Sequence, residues 1–112
     1  MVELQRGDLV VCILPGDYGK PRPAVVVQSN FFLSKHTSIV VCPITSTIVD
    51  APFFRITLQP DDAQGLKRLS QIMVDKLTAV KRDRIRQVIG HLYPKTEAQL
   101  NRAIALFLGL AD

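Results

Sequence analysis

The sequence predicts a mainly β fold, in which a small, twisted, barrel-like sheet of five to seven short strands is followed by one C-terminal α-helix. Short runs of apolar and β-branched residues recur along most of the chain, separated by segments rich in Gly, Pro and Asp. The clearest helical pattern lies near the end. With 112 residues, 47% of them apolar, the chain can form one hydrophobic core, and we expect a single domain over residues 1–112.

The strands are predicted from apolar runs bounded by turn-forming residues. Residues 9–14 are continuously apolar, which is typical of a strand covered on both faces. The segment 15–21 contains two prolines and two glycines and predicts a turn. Further strands are predicted at 24–28, 37–44, 53–58, 69–74, 77–80 and 86–92, with short helical turns at 29–35 and 81–85.

The final segment has the pattern of an amphipathic helix. Residues 96–99 (TEAQ) match a capping box, in which the Thr96 hydroxyl and the Gln99 side chain each cover a free backbone amide. Apolar residues then recur at helical spacing, at Leu100, Ala103, Ile104, Phe107 and Leu108. Gly109 predicts the end of the helix. We expect this stripe to pack on the sheet or at a subunit contact.

Composition restricts the class of protein. No run of about 18 apolar residues predicts a transmembrane helix, and the N-terminus lacks a signal-peptide pattern. We therefore expect a soluble cytoplasmic protein. Cys12 and Cys42 each lie inside a predicted strand without the spacing of metal ligands, so we expect buried, reduced thiols. No metal or cofactor site is predicted.

The net charge of +4 is unevenly distributed along the chain. Half of the fourteen Lys and Arg residues form a basic region within 67–86, at Lys67, Arg68, Lys76, Lys81, Arg82, Arg84 and Arg86. Only Asp75 and Asp83 oppose them there. A basic patch on a small domain suits an anionic partner, either nucleic acid or an acidic protein segment. A merely solvated basic turn would have the same composition.

Arg22 is the strongest candidate for a functional side chain. It stands between Pro21 and Pro23, which fix their own backbone angles and favour extended geometry in the residues before them. Its planar guanidinium would be presented rigidly at the mouth of a strand, where it can grip an oxyanion such as phosphate. Thr45 and Ser46 end another apolar strand. Together these groups are the parts of a phosphate-handling site.

Three motifs in order resemble the MazF/PemK/Kid family of toxin endoribonucleases from bacterial toxin–antitoxin pairs: RGDLV at 6–10, RPAVVV at 22–27 and PITS at 43–46. The resemblance covers nearly the whole chain. It implies a homodimer of SH3-like twisted barrels that cuts single-stranded RNA without a metal or cofactor, and a cognate acidic antitoxin. In that family the ribose 2′-hydroxyl attacks the adjacent phosphate and leaves a cyclic phosphate and a 5′-hydroxyl, a reaction that only RNA allows.

The resemblance also implies roles for individual residues. Arg22 would stabilise charge on the phosphate, and Thr45 matches the family's catalytic threonine. Asp17 is the carboxylate available in the preceding loop as a general base. The RNA-binding candidates are Tyr18, Lys20, Ser46, Arg68, Ser70 and Gln71. Many family members carry a histidine and a glutamate in a longer loop before the arginine, and this chain has neither there.

Two other functions stay open from the sequence. A gyrase-poisoning toxin of the CcdB type shares the architecture but relies on a Trp-Gly-Ile end, whereas this chain has no Trp and ends with GLAD at 109–112. A non-catalytic SH3-like module that binds RNA or protein is the other alternative, because the loop before Arg22 departs from the family pattern. Residue types alone do not fix the RNA motif that would be cut.

Overall fold

The structure, a computed structural model, describes residues 3–111 and contains seven strands and two α-helices within them. The strands are β1 (Asp8–Ile13), β2 (Pro21–Val26), β3 (Ser38–Thr45), β4 (Arg55–Leu58), β5 (Ser70–Met73), β6 (Thr78–Lys81) and β7 (Ile85–His91). The helices are α1 (Asn30–Leu33) and α2 (Pro94–Phe107), and 3₁₀ turns lie at Asp62–Gln64, Val74–Lys76 and Arg82–Arg84. The predicted mainly β fold with a C-terminal helix is confirmed.

Two findings concern the range of described residues and the character of the helices. Residues 1, 2 and 112, which the predicted single domain includes, lie outside the described residues. Within 3–111, neither helix combines the length and the apolar character needed to cross a membrane.

Strand β3 is the centre of the sheet. The strand order is β4-β5-β3-β2-β1-β7, with every pairing among the described strands antiparallel, and β4 and β7 are the two ends of an open sheet. One edge of β3 pairs with β2, and the other pairs first with β6 and then with β5. The chain passes from β5 to β6 through the 3₁₀ turn at Val74–Lys76.

Pro43 lies on β3 where this change of partner occurs. The carbonyl of Val40 accepts a hydrogen bond from the Val27 N–H, on the side of β2. Because backbone groups alternate between the two edges of an antiparallel strand, Pro43 is directed to the opposite edge. Its missing N–H therefore falls at the gap between β5 and β6, where no ladder partner is needed.

The sheet is covered on both faces by two hydrophobic clusters. Successive residues of one strand enter opposite clusters, since Leu9 belongs to the first cluster and Val10 to the second. The first cluster includes Leu100 and Ala103 of α2, and the second includes Leu33 of α1. The prediction that the strand within 9–14 is covered on both faces is confirmed.

Cys12 and Cys42 are buried, unpaired thiols, as the sequence predicts. They belong to opposite clusters, and β2 lies between their strands, so they are not neighbours. Burial raises the pKa of Cys12 to about 11 and that of Cys42 to about 12. Both thiols are therefore protonated at neutral pH.

The predicted capping box at residues 96–99 is wrong, because helix α2 begins two residues before it. The helix starts at Pro94, and Tyr93 occupies the cap position without a side-chain hydrogen bond. Thr96 therefore lies within the first turn. Proline is favoured at the first helical position because its fixed φ suits a helix and its missing N–H would have no intrahelical partner there.

The end of α2 agrees with the prediction from Gly109. This residue has a φ of +76°, and the Leu110 N–H donates to the Ala105 carbonyl at 2.7 Å in a Schellman motif. Along the predicted apolar stripe, Leu100 is buried, whereas Phe107 is 49% exposed. This chain alone therefore covers only the first half of the stripe.

Candidate active site

Six of the nine predicted site residues line one cavity of about 810 Å³. The cavity lies between the loop that joins β1 to β2 and the adjoining ends of β3 and β5. The six residues are Asp17, Arg22, Thr45, Ser46, Arg68 and Ser70. Residues from three separate parts of the sequence thus meet in one place, while the individual roles assigned to them stay predictions.

Arg22 lies inside strand β2, and the predicted start of this strand at residue 24 is wrong. Strand β2 begins at Pro21, and Arg22 pairs with Cys12 of β1. On the same edge, the Val26 carbonyl accepts the Gly7 N–H. Alternation therefore directs Pro21 and Pro23 away from β1, so their missing N–H groups do not interrupt this pairing.

The same two prolines limit the pairing between β2 and β3. The paired segment ends at Ala24 and Pro43. The next hydrogen-bonded position on β2 would be Pro23, which has no N–H to donate to β3. Two residues beyond the last pair, the register brings Arg22 level with Thr45, and both line the cavity. The cavity therefore opens where the ladder between the two strands stops.

The Arg22 guanidinium faces the carboxylate of Asp17 across the mouth of the cavity. Its Nε lies 3.6 Å from the Asp17 Oδ2, which is longer than a hydrogen bond. The side chains are 45% and 28% exposed, so water screens the pair. The loop that carries Asp17 is held by its own backbone, since the Lys20 N–H donates to the Asp17 carbonyl. The guanidinium is thus accessible to an anion that enters the cavity.

Thr45 and Ser46 supply hydroxyl groups at the end of β3. The Thr45 Oγ1 accepts a hydrogen bond from the Thr47 N–H at 3.1 Å. Because a hydroxyl that accepts in this way keeps its own proton, Thr45 can still donate to an oxygen in the cavity. Ser46 is exposed at the cavity wall.

The opposite wall contributes two further cations. Arg68 and Lys76 are exposed and line the cavity together with Ser70, whose hydroxyl donates to the Arg68 carbonyl at 2.9 Å. Lys76 is a site residue that the sequence analysis did not single out within the basic region. No local sequence signal distinguishes it from the other cations of that region.

Tyr18 and Lys20 do not line the cavity, although they belong to its loop. Tyr18 is fully exposed at the loop tip with a φ of +52°, and Lys20 is also exposed. The rim of a smaller neighbouring cavity joins Tyr18 to Lys81 and Arg84. A nucleotide leaving the main cavity over this loop would meet an aromatic ring and two cations.

Gln71 does not line the main cavity but contributes to the wall of a separate cavity of about 730 Å³. The residue is 3% exposed, and its amide forms hydrogen bonds to Val49 and Thr57. Contact with RNA would require these bonds to break. The structure thus gives Gln71 a different environment from the one expected of a base-reading side chain.

The arrangement is chemically suited to a phosphodiester. Three cations and five hydroxyl-bearing residues line a cavity that also holds one carboxylate, so an anionic group can be bound beside a potential proton acceptor. Within the part of the chain that the structure describes, no three His, Cys, Asp or Glu side chains meet as metal ligands would. The molecule is thus a small β protein with a basic cleft whose lining suits a phosphate group.

Comparison with known proteins identifies the family. The model of the family described as "PemK-like, MazF-like toxin of type II toxin-antitoxin system" matches residues 5–108. The chain is 37% identical over 109 residues to "Probable endoribonuclease MazF" of Mycolicibacterium smegmatis (strain ATCC 700084 / mc(2)155), covering 96% of this chain and 99% of the relative. The chain therefore belongs to the PemK-like, MazF-like family of type II toxins. The resemblance inferred from the sequence motifs is confirmed.

Solved structures agree with this assignment at the level of the fold. An endoribonuclease in complex with its cognate antitoxin, from Mycobacterial species, has a TM-score of 0.82 at 22% identity, covering 98% of this chain and 99% of that one. The Mycobacterium tuberculosis toxin MazF-mt6 has a TM-score of 0.80 at 22% identity, with 94% and 99% covered. MazE-MazF (Form-II) from Deinococcus radiodurans has a TM-score of 0.77 at 21% identity, with 96% and 97% covered.

Proposed function

We propose that this chain is a metal-independent endoribonuclease that cuts single-stranded RNA at a short sequence motif and thereby inhibits translation and growth. Membership of the toxin family and the name of the Mycolicibacterium relative support the activity. The observation that carries the proposal is the meeting of Arg22, Thr45 and Asp17 in one basic cavity. These are the groups that an attack at a phosphodiester requires.

The reaction is an in-line displacement within the RNA itself. The ribose 2′-oxygen forms a bond to the adjacent phosphorus while the bond from phosphorus to the 5′-oxygen of the next nucleotide breaks. The 2′-hydroxyl loses a proton and the leaving oxygen gains one, so the products are a 2′,3′-cyclic phosphate and a 5′-hydroxyl. Negative charge grows on the phosphoryl oxygens in the transition state, and a cation already in place accelerates the step.

The residues of the cavity divide this work. Arg22 stays charged and can make two parallel hydrogen bonds to the phosphoryl oxygens. Its exposed pair with Asp17 is of a kind that contributes only about 0–1 kcal/mol, so phosphate can replace that partner. Thr45 donates a hydrogen bond to the scissile phosphate, Asp17 accepts the proton of the 2′-hydroxyl, and solvent water supplies the proton that the leaving 5′-oxygen gains. Arg68 and Lys76 hold neighbouring phosphates.

The proposed protein partner is a cognate antitoxin with an acidic segment. Similar solved structures include an endoribonuclease with its cognate antitoxin and a MazE-MazF structure. The net charge of +4 and the cations around the cavity favour an acidic segment at this site, where it would compete with RNA. We place toxin and antitoxin in the cytoplasm, because messenger RNA is translated there.

We also propose that two copies of the chain form a symmetric dimer through the end of α2. Phe107 is 49% exposed, and Phe53 and Leu110 are each 78% exposed. The rings of Phe54 and Phe107 lie 6.2 Å apart, which places the segment containing Phe53 beside the helix end. Large apolar side chains exposed together favour an interface, and a second copy would cover the open half of the helix stripe.

Sedimentation analysis tests the dimer. The Leu110→Asp variant is expected to sediment as a monomer at concentrations at which the parent protein is dimeric. Leu69→Asp is the matched control, because Leu69 is a 40% exposed leucine in the loop before β5. A monomeric parent protein, or a dimeric Leu110→Asp variant, would contradict the proposal.

The activity is tested with purified protein, RNA of mixed sequence and a metal chelator, followed by mapping of new 5′ ends. We expect 5′-hydroxyl ends at one short motif, and we expect a single 2′-deoxy substitution at the cut site to prevent cleavage. Arg22→Ala should lower kcat by about 10²–10³-fold, as the loss of one preplaced charge-stabilising donor does. The matched control is Arg102→Ala, which removes an exposed arginine of α2 outside the cavity.

Three results would argue against the proposal. Cleavage that stops when the metal is removed would exclude the metal-independent reaction. Cleavage of the 2′-deoxy substrate would exclude attack by the 2′-hydroxyl. RNA binding without new ends would instead indicate a non-catalytic binding module.

A further inference from the structure

The amide of Gln71 joins two segments that are distant in sequence. Gln71 lies on β5 opposite Thr45 of β3, and its side chain is buried. Its Oε1 accepts a hydrogen bond from the Val49 N–H at 3.1 Å, and its Nε2 donates to the Val49 carbonyl at 2.9 Å. The Nε2 also lies 3.3 Å from the Thr57 hydroxyl on β4.

These contacts give Val49 the partner that a neighbouring strand would otherwise supply. A side-chain amide presents an oxygen that accepts and an NH₂ group that donates, and here both meet the backbone of the same residue. Val49 lies in the segment 46–50, which has no regular secondary structure. The Gln71 amide therefore makes to Val49 the two hydrogen bonds that a neighbouring strand would make, in a segment that is not paired with a strand.

The held segment begins directly after the proposed catalytic threonine. Thr45 holds the Thr47 N–H at one end of the segment, and Gln71 holds Val49 at the other. Ser46 and Thr47, between these two ties, line the catalytic cavity. A loss of the hydrogen bonds between Gln71 and Val49 would release the backbone that orients these hydroxyls.

We infer that Gln71 is a positioning residue for the proposed RNA cleavage. It fixes the segment 46–50 so that Thr45 and Ser46 face the scissile phosphate, and it acts without touching RNA. This inference rests on the proposed function. Misplacement of a reacting group by about 1 Å can lower a rate by about 10²-fold, so a remote tie of this kind can control kcat.

The test compares Gln71→Met with Gln64→Met in the cleavage assay. Gln64 is a matched control because it is also buried, at 4% exposure, but lies in the 3₁₀ turn at Asp62–Gln64, outside the cavity. We expect Gln71→Met to lower kcat by about 10²-fold, with KM changed by less than about threefold, as expected when only transition-state interactions are lost. Gln64→Met should retain both values. Urea unfolding checks that each variant is folded.

Hydrogen exchange of the Val49 amide provides a readout that does not need activity. In the parent protein this amide should exchange slowly, and in Gln71→Met its exchange should accelerate by about tenfold or more, because its acceptor is gone. If the Val49 amide of the parent protein exchanges slowly but the protein cuts no RNA, the proposed function is overturned, whereas the hydrogen bond between Gln71 and Val49 is established. An unchanged kcat, a raised KM with kcat retained, or unchanged exchange would overturn the inference.

Discussion

Replacing Asp17 by asparagine separates two tasks of one carboxylate. The structure gives Asp17 an ion pair with Arg22, and the proposed mechanism gives it the proton of the 2′-hydroxyl. Asp17→Asn removes the charge and keeps the size of the side chain. The loop itself should persist, because it is held by the backbone bonds of Asp17 to Leu14 and Lys20.

The two tasks predict effects of very different size. The ion pair joins side chains that are 45% and 28% exposed at 3.6 Å, so its loss is worth at most about 1 kcal/mol, or about fivefold in an equilibrium constant. RNA binding should change by no more than that factor, in the direction of tighter binding, because Arg22 loses a competing partner. Loss of a general base, by contrast, lowers a rate by about 10²–10⁴-fold.

Single-turnover cleavage of a short RNA with a fluorophore and a quencher measures both quantities. The maximal rate at saturating protein should fall by at least about 10²-fold in Asp17→Asn, while the concentration for half-maximal rate stays within about fivefold. Asp62→Asn, at an exposed carboxylate in the 3₁₀ turn at Asp62–Gln64, is the control. A maximal rate within about twofold of the parent would refute the assignment of Asp17 as the base.

Other predictions concern charge, packing and burial. Arg68→Ala and Lys76→Ala should each reduce the slope of the logarithm of the RNA-binding constant against the logarithm of salt concentration by about 0.7. The measurement uses RNA with a 2′-deoxy cut site, which is not cleaved. An unchanged slope would show that the residue does not contact a phosphate. Gly90→Ala should cost about 1–3 kcal/mol of unfolding free energy in urea, because its Cβ would lie 2.6 Å from the Gln64 carbonyl oxygen, and a neutral effect would contradict this packing. The free energy of unfolding should decline above pH 9, because the thiols ionise there in the unfolded chain while the buried thiols of Cys12 and Cys42 stay protonated. In reducing buffer, the urea midpoint should therefore fall less with rising pH in the variant that carries both Cys12→Ala and Cys42→Ala than in the parent protein.

Local patterns predict the elements of this fold better than their ends. The β-branched run of β3 and the apolar stripe of α2 appear at the expected places. Two of the errors at element starts involve proline, at Pro21 and at Pro94, and a third is that β4 begins at Arg55, two residues after its predicted start. The effect of a proline depends on where its missing N–H would point, and tertiary pairing decides that direction.

The site shows the same division between local and tertiary information. The residue types alone predicted Arg22 and Thr45 as candidates, and the family resemblance added their roles, but only the register of β2 against β3 brings them level. No local pattern distinguishes Lys76 at the cavity from the other cations of the basic region. The environment of Gln71 likewise follows from the course of the segment 46–50, which sequence periodicity does not describe.

Pro23 has a consequence for how such a toxin could diversify. Pro23 lacks the N–H that the next hydrogen bond from β2 to β3 would need, so the main chain itself helps to keep the cleft open beside Arg22. A gap that the main chain keeps open does not need the side chains around it as spacers, so we expect those side chains to be free to vary. An amino acid with an N–H at this position would restore the missing donor, and we expect β2 and β3 then to pair further toward Arg22.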